Sequence, residues 1–127
     1  MFKKLNHIGI AVKSVDESVK FFEENFGAEL ITRLEFPAIR QISVIVKIGD
    51  SHLELMEGTA EDSVISKFVA EKGEGLHHLS LAVDNIEKTC DELEKKEMRI
   101  IGKNLAMKMA FVHPKSVHGI LLELTEL

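Results

Sequence analysis

The chain has 127 residues, of which 45% are hydrophobic, and it carries a formal net charge of −5 at pH 7. This length fits one domain with a sizeable core, and the negative charge without a basic cluster argues against a nucleic-acid partner. No apolar run approaches the ~20 residues of a transmembrane helix, and no long apolar segment of a secretory signal follows the N-terminal lysines. We therefore predict a cytoplasmic protein with no membrane partner.

The first half of the chain reads as strand, helix and three strands, followed by a short helix. Ser14 and Glu17 have the spacing of a capping box at the start of the first helix, and Gly27 is placed to end that helix. Alternating apolar residues predict the strands. The predicted strands span 5–13, 28–35, 40–48 and 51–57, and the second helix spans 64–72.

The order of elements starts again after Gly73. A strand is predicted over 76–83, and Asp84 is the predicted N-cap of the following helix. Three further strands are predicted over 99–103, 107–113 and 119–125. Each half therefore has the order βαβββ, with one module over about 1–72 and the other over about 73–127, in a single domain over 1–127.

Three features of different kind recur at nearly one period. The separations are 71 residues for His7 and His78, 70 for Ser14 and Asp84, and 69 for Glu54 and Glu123. Because internal repeats decide the fold, we interpret the chain as a tandem duplication.

The two histidines stand on strands with the same pattern of side chains. Successive side chains in a strand point to opposite faces, so His7 shares a face with Gly9 and Ala11. In the second half His78 shares a face with Ser80 and Ala82. Each pattern leaves room beside an imidazole.

A glutamate stands on the last predicted strand of each half, at Glu54 and Glu123. Taken alone, a histidine or glutamate on a strand is more often a packed or solvated residue than a ligand. The repeat favours the functional interpretation, because two histidines and two glutamates form a suitable donor set for a divalent metal. If the two halves pack about a pseudo-twofold axis, all four side chains converge.

These motifs resemble the vicinal oxygen chelate superfamily, which includes glyoxalase I, extradiol dioxygenases and bleomycin-resistance proteins. The match is closer to the methylmalonyl-CoA epimerase family. The motifs that carry it are HIGIAV at 7–12, GDSHLELME at 49–57, GEGLHHL at 73–79, HPKS at 113–116 and GILLEL at 119–124. The resemblance implies an α+β fold in which two tandem βαβββ modules form a curved eight-stranded mixed sheet around a central metal cleft, usually in a homodimer.

The resemblance also implies a site and a reaction. Its metal ligands would be His7, Glu54, His78 and Glu123, around one divalent ion of Co, Zn, Ni, Mn or Fe. The implied activity is metal-dependent epimerisation of an acyl-CoA, methylmalonyl-CoA, by exchange of the proton alpha to the thioester through a stabilised enolate. Glu123 is our first choice as one acid–base residue and Glu54 as the other.

Two alternatives stay open from the sequence. One is a glyoxalase-type lyase acting on a hemithioacetal with the same metal ligands, and the other is a non-enzymatic small-molecule-binding protein of the bleomycin-resistance type. The segments 38–41 and 104–107 depart from the epimerase pattern, so they leave the acyl group open.

Overall fold

A computed structural model covers residues 1–127 and contains eight strands and three helices. The chain is α+β with a mixed eight-stranded sheet, as predicted. The 3₁₀ turns are Pro37–Ile39 and Pro114–Ser116. The strands and helices are β1 (Phe2–Ala11), α1 (Val15–Phe26), β2 (Glu29–Phe36), β3 (Gln41–Ile48), β4 (Ser51–Gly58), α2 (Val64–Lys72), β5 (Gly75–Val83), α3 (Ile86–Lys95), β6 (Ile100–Asn104), β7 (Met109–Val112) and β8 (Leu122–Glu126).

The chain divides into two compact units, and the boundaries between them fall within β1 and within β5. One unit contains Met1–His7 and His78–Leu127, and the other contains Ile8–His77. The predicted modules 1–72 and 73–127 follow the sequence repeat, whereas the compact units follow the contacts between residues. The modules therefore stay a prediction.

The unit Ile8–His77 builds its part of the sheet from β2, β3, β4 and the second part of β1. In this unit β1 runs parallel to β4, with Gly9 opposite Glu54, and β3 runs antiparallel to both β2 and β4. Its core lies between these strands and α1. The core residues are Val12, Val15, Ala28, Val44, Val46 and Leu55.

The other unit has the same local design. Its strand β5 runs parallel to β8, with Ser80 opposite Glu123, and β7 runs antiparallel to both β6 and β8. Its core lies between these strands and α3. The core residues are Val83, Ile86, Cys90, Leu93, Ala110, Val112 and Leu124.

The N-termini of α1 and α3 are stabilised by the same two contacts: an N-cap side chain and a glutamate from a strand each accept a hydrogen bond from a backbone amide. Ser14 accepts a hydrogen bond from the Glu17 amide at the start of α1, which confirms the predicted cap. A glutamate from the last strand of the same unit then binds the first helical amide: the Val15 N–H donates to Glu57 at 2.8 Å. A carboxylate in this position complements the positive end of the helix dipole.

The predicted cap of α3 was wrong. Asn85, not Asp84, is the N-cap of α3, and its side chain accepts from the Lys88 amide. The Asp84 carboxylate instead accepts a hydrogen bond from the N-terminal ammonium group at 2.6 Å. This ion pair lowers the pKa of Asp84. The equivalent of Glu57 is Glu126, which accepts from the Ile86 N–H at 2.9 Å.

The end of α3 also repeats the end of α1 in conformation, although the residue differs. Gly27 follows α1 with a φ of 67°, and Glu97 has a φ of 66° near the end of α3. A left-handed φ costs a residue with a side chain more than it costs glycine. The backbone of the repeat is therefore more alike than its sequence.

None of the helices is both long and apolar enough to cross a lipid bilayer.

Candidate metal centre

Three of the four predicted ligands lie together within the unit formed by Met1–His7 and His78–Leu127. His7 comes from β1, His78 from β5 and Glu123 from β8. The parallel pairing of β5 with β8 places Glu123 opposite Ser80, two residues beyond His78. Alternation along β5 then puts the side chains of His78 and Ser80 on the same face.

The donor atoms of these three side chains face one another at short range. Nε2 of His7 lies 3.1 Å from Nε2 of His78, and it lies 3.4 Å from Oε1 of Glu123. Oε2 of Glu123 lies 3.9 Å from Nε2 of His78. All three donor atoms thus lie within 4.8 Å of one another.

These separations fit a single divalent ion. Bonds of about 2.0–2.2 Å from His nitrogen and carboxylate oxygen place neighbouring ligand atoms roughly 3.0–3.5 Å apart in octahedral or tetrahedral geometry. The distances from Nε2 of His7 to Nε2 of His78 and to Oε1 of Glu123 fall in that range. The distance from Nε2 of His78 to the other carboxylate oxygen, Oε2, exceeds it by a few tenths of an ångström. Two imidazoles and one carboxylate also form a donor set suited to Zn, Co, Ni, Mn or Fe.

The three side chains are shielded from solvent. Their exposed fractions are 12% for His7, 4% for His78 and 9% for Glu123. A carboxylate this far from water must be hydrogen-bonded, paired or bound to a metal. Burial therefore agrees with a ligand role for Glu123.

Other side chains of this unit surround the three ligands. The amide group of Asn6 contacts Nδ1 of His7 at 3.1 Å, and the ring of Phe111 lies edge-on to that of His78, with centroids 6.3 Å apart. Thr125 donates a hydrogen bond to Oε1 of Glu123 at 3.0 Å. Hydrogen bonds and packing contacts to a ligand side chain fix its orientation toward a metal.

Sequence reasoning missed Asn6 and Thr125, although a signal was available for Thr125. Thr125 stands two residues after Glu123, so strand alternation places both side chains on one face. Asn6 precedes His7 directly, and its contact depends on a local backbone geometry that alternation does not describe.

Glu54, the fourth predicted ligand, belongs to the unit Ile8–His77. There it lies on β4, partly buried, with Gly9 opposite it on β1 and Ile45 opposite it on β3. Its register against Gly9 matches that of Glu123 against Ser80. Its roles as metal ligand and as acid–base residue stay predictions.

Ser43 and Gln41 belong to the same unit as Glu54. Ser43 is fully buried, and the amide of Gln41 donates to its hydroxyl at 3.0 Å. Ser43 lies opposite Met56, so alternation places it on the face of the sheet that Glu54 also occupies. The hydroxyl of Ser43 is neutral, so Ser43 cannot act as an acid–base residue near neutral pH.

Comparison with known proteins agrees with this geometry. Residues 6–111 match the Glyoxalase/Bleomycin resistance protein/Dioxygenase superfamily. The human protein named methylmalonyl-CoA epimerase, mitochondrial, is 30% identical over 129 residues, covering 97% of this chain and 73% of that relative. An ethylmalonyl-CoA/methylmalonyl-CoA epimerase from Cereibacter sphaeroides is 26% identical and covers 99% of both chains.

A solved structure shows the same relationship. Streptomyces coelicolor methylmalonyl-CoA epimerase, in complex with 2-nitronate-propionyl-CoA, is 29% identical, with a TM-score of 0.90 over 99% of this chain and 95% of that one. The resemblance inferred from sequence motifs is thereby confirmed, as is the assignment to isomerases of the epimerase type.

Proposed function

Because the chain belongs to the Glyoxalase/Bleomycin resistance protein/Dioxygenase superfamily, and because named relatives spanning nearly all of it are epimerases, we propose that it epimerises methylmalonyl-CoA. The reaction would exchange the proton on the carbon between the thioester and the carboxylate. The observation that carries the proposal is the convergence of His7, His78 and Glu123 in a shielded site.

The carbon acid is weak, so negative charge must be stabilised as the proton leaves. A divalent ion held by His7, His78 and Glu123 would supply Lewis-acid stabilisation of that charge. The protein's own contribution is to hold these three groups shielded from water and in fixed orientation. Phe111 beside His78 adds an apolar wall to the site.

Epimerisation needs one proton acceptor and one proton donor on opposite faces of the carbon. We propose Glu123 as one of them and Glu54, which also serves as the fourth metal ligand, as the other. The repeated register supports the pair, since each glutamate lies opposite a small residue, Gly9 or Ser80, on the neighbouring parallel strand.

Glu54→Gln, compared with the wild type at equal metal occupancy, tests the second acid–base residue. The variant keeps size and polarity but no longer exchanges a proton, so we expect epimerisation to slow by about 10²–10⁴-fold, the usual contribution of general acid–base catalysis. Epimerisation of one pure epimer is the measurement. If Glu54→Gln epimerises at the wild-type rate, the assignment to Glu54 is wrong.

The proposed reaction as a whole is tested by isotope exchange. Purified protein is analysed for bound divalent metal, and the metal-loaded form is incubated with methylmalonyl-CoA in deuterated water. We expect incorporation of deuterium at the alpha carbon, and loss of this exchange after chelation. A parallel incubation with the hemithioacetal of methylglyoxal and glutathione tests the lyase alternative, and ligand binding without turnover of either compound would indicate the binding-protein alternative.

Three further predictions accompany this function. We propose that the chain forms a homodimer, that it works in the cytoplasm, and that 1–72 and 73–127 are duplicated modules of a single domain. The human relative is named as a mitochondrial protein, so the location of this chain needs its own measurement.

A further inference from the structure

A chain of two hydroxyl groups ends on Glu123. The hydroxyl of Thr125 lies 3.0 Å from Oε1 of Glu123, and the hydroxyl of Ser80 lies 3.3 Å from that of Thr125. Ser80 is fully buried and Thr125 is partly buried. All three side chains belong to one compact unit.

The direction of this chain follows from counting protons. A carboxylate only accepts hydrogen bonds, and a threonine hydroxyl has one proton to give. Thr125 therefore donates its one hydroxyl proton to Glu123, and a lone pair on the same oxygen accepts a hydrogen bond from Ser80. The order of donation is Ser80 to Thr125 to Glu123.

The strands hold these groups in place. Glu123 and Thr125 alternate onto the same face of β8, and Ser80 and Ala82 lie opposite them on β5. Ala82 is fully buried and small, which leaves the space that the Thr125 side chain needs beside it. Thr125 is β-branched, so its χ1 angle has few alternatives.

We propose that Thr125, supported by Ser80, is a positioning residue that fixes the carboxylate of Glu123 for metal binding. This inference rests on the proposed function, because it needs the metal. A carboxylate whose orientation is already fixed loses less conformational freedom on coordination. One hydrogen bond from Thr125 occupies only one of about four lone-pair positions on the carboxylate, so the others stay available to the metal.

The test compares hydroxyl-deleting with hydroxyl-keeping variants. Thr125→Val removes the hydroxyl at nearly constant volume, and Thr125→Ser keeps it. Thr89→Val is the matched control, because Thr89 is a buried threonine of the same unit whose hydroxyl has no hydrogen-bond partner. The Co²⁺ dissociation constant of each protein is measured by competition with a chromophoric chelator, and the visible Co²⁺ spectrum is recorded.

We expect Thr125→Val to weaken Co²⁺ binding by about 10–100-fold, the usual effect of losing a residue that hydrogen-bonds to a metal ligand. Thr125→Ser and Thr89→Val should bind like the wild type, and the Co²⁺ spectrum should change only in Thr125→Val. Ser80→Ala should weaken binding in the same direction but less. If Thr125→Val does not fold, Ser80→Ala is the deciding variant. A Co²⁺ affinity equal to that of the wild type in Ser80→Ala would then overturn the proposal.

Two failures are distinguishable. If the wild type binds Co²⁺ and Thr125→Val binds it equally well, the positioning role is wrong and the proposed function stands. If the wild type binds no divalent metal, the proposed metal-dependent function is wrong and the positioning role falls with it.

Discussion

At the scale of single residues, the closest approach among the three candidate ligands is between two imidazole nitrogens. Nε2 of His7 and Nε2 of His78 lie 3.1 Å apart, so their lone pairs repel unless a proton or a cation lies between them. Oε1 of Glu123, 3.4 Å from the first of these atoms, supplies the negative charge that a cation needs. These three groups are the metal ligands proposed above.

His78→Ala should abolish high-affinity binding of Co²⁺ to this site. Losing a residue that hydrogen-bonds to a metal ligand lowers metal affinity by up to roughly 100-fold, and losing the ligand itself should lower it by at least as much. The dissociation constant from chelator competition is the measurement. His118→Ala is the control, because His118 belongs to the same unit and its side chain is exposed. Equal affinities in His78→Ala and His118→Ala would place the metal elsewhere.

At the scale of elements, a glutamate on β4 or β8 accepts a hydrogen bond from the first backbone N–H of a helix. We call this contact a helix clamp. Glu57 binds α1 and Glu126 binds α3, and these two residues stand 69 apart, like Glu54 and Glu123. The repeat therefore includes a structural glutamate three residues after each candidate ligand. One periodic pattern thus serves both stability and the proposed chemistry.

Glu126→Gln should make the urea midpoint of unfolding less dependent on pH at acidic pH. The hydrogen bond from the Ile86 N–H, together with Lys108, holds the pKa of Glu126 below its ordinary value of 4.5. A lowered folded-state pKa stabilises the fold above the unfolded-state pKa, and this contribution is lost as the pH falls through the lowered value. The urea midpoint of the wild type should therefore fall more steeply than that of Glu126→Gln below about pH 4.5.

The control for this profile is Glu92→Gln, which alters an exposed glutamate on α3. Its acid limb should run parallel to that of the wild type. Parallel profiles for the wild type and Glu126→Gln would show that the clamp contributes nothing to acid stability.

Sequence patterns predicted the elements and their order because these depend on local spacing. Ser14 was recognisable as a cap from its own neighbours, and alternation along the strands identified His78 and Glu123. Asp84 and Asn85 are both good N-cap residues; Asn85 caps α3, whereas the Asp84 carboxylate pairs with the N-terminal ammonium group, 83 residues away in the chain. No local pattern contains that partner.

The helix clamps and the hydroxyl chain were beyond local patterns for the same reason. Glu126 and Ile86 are 40 residues apart, and Ser80 and Thr125 are 45 residues apart. Each pair meets only once β5 and β8 have paired. The Glu54 prediction is of the same kind, since it depends on packing that the repeat suggests but does not specify.

At the scale of the whole molecule, the proposed metal site predicts that metal binding stabilises the fold. An ion that binds the folded chain in preference to the unfolded one raises the free energy of unfolding, by about 2.7 kcal/mol at a free concentration 100 times its dissociation constant. Co²⁺ should therefore raise the thermal midpoint of unfolding of the wild type. Removal of the Co²⁺ with EDTA should return the midpoint to its metal-free value. His78→Ala should show no such shift, and a shift of wild-type size in that variant would contradict a site built on His78.

The most direct test of the central claim compares the wild type with Glu123→Gln, both loaded with the same metal, on one pure epimer of methylmalonyl-CoA. Each protein is first shown to be folded and to carry one equivalent of metal at the concentration used. We expect the wild type to convert the pure epimer into a mixture of both, and Glu123→Gln to be slower by about 10²–10⁴-fold. Conversion at equal rates by the two proteins would contradict the claim that Glu123 exchanges the proton.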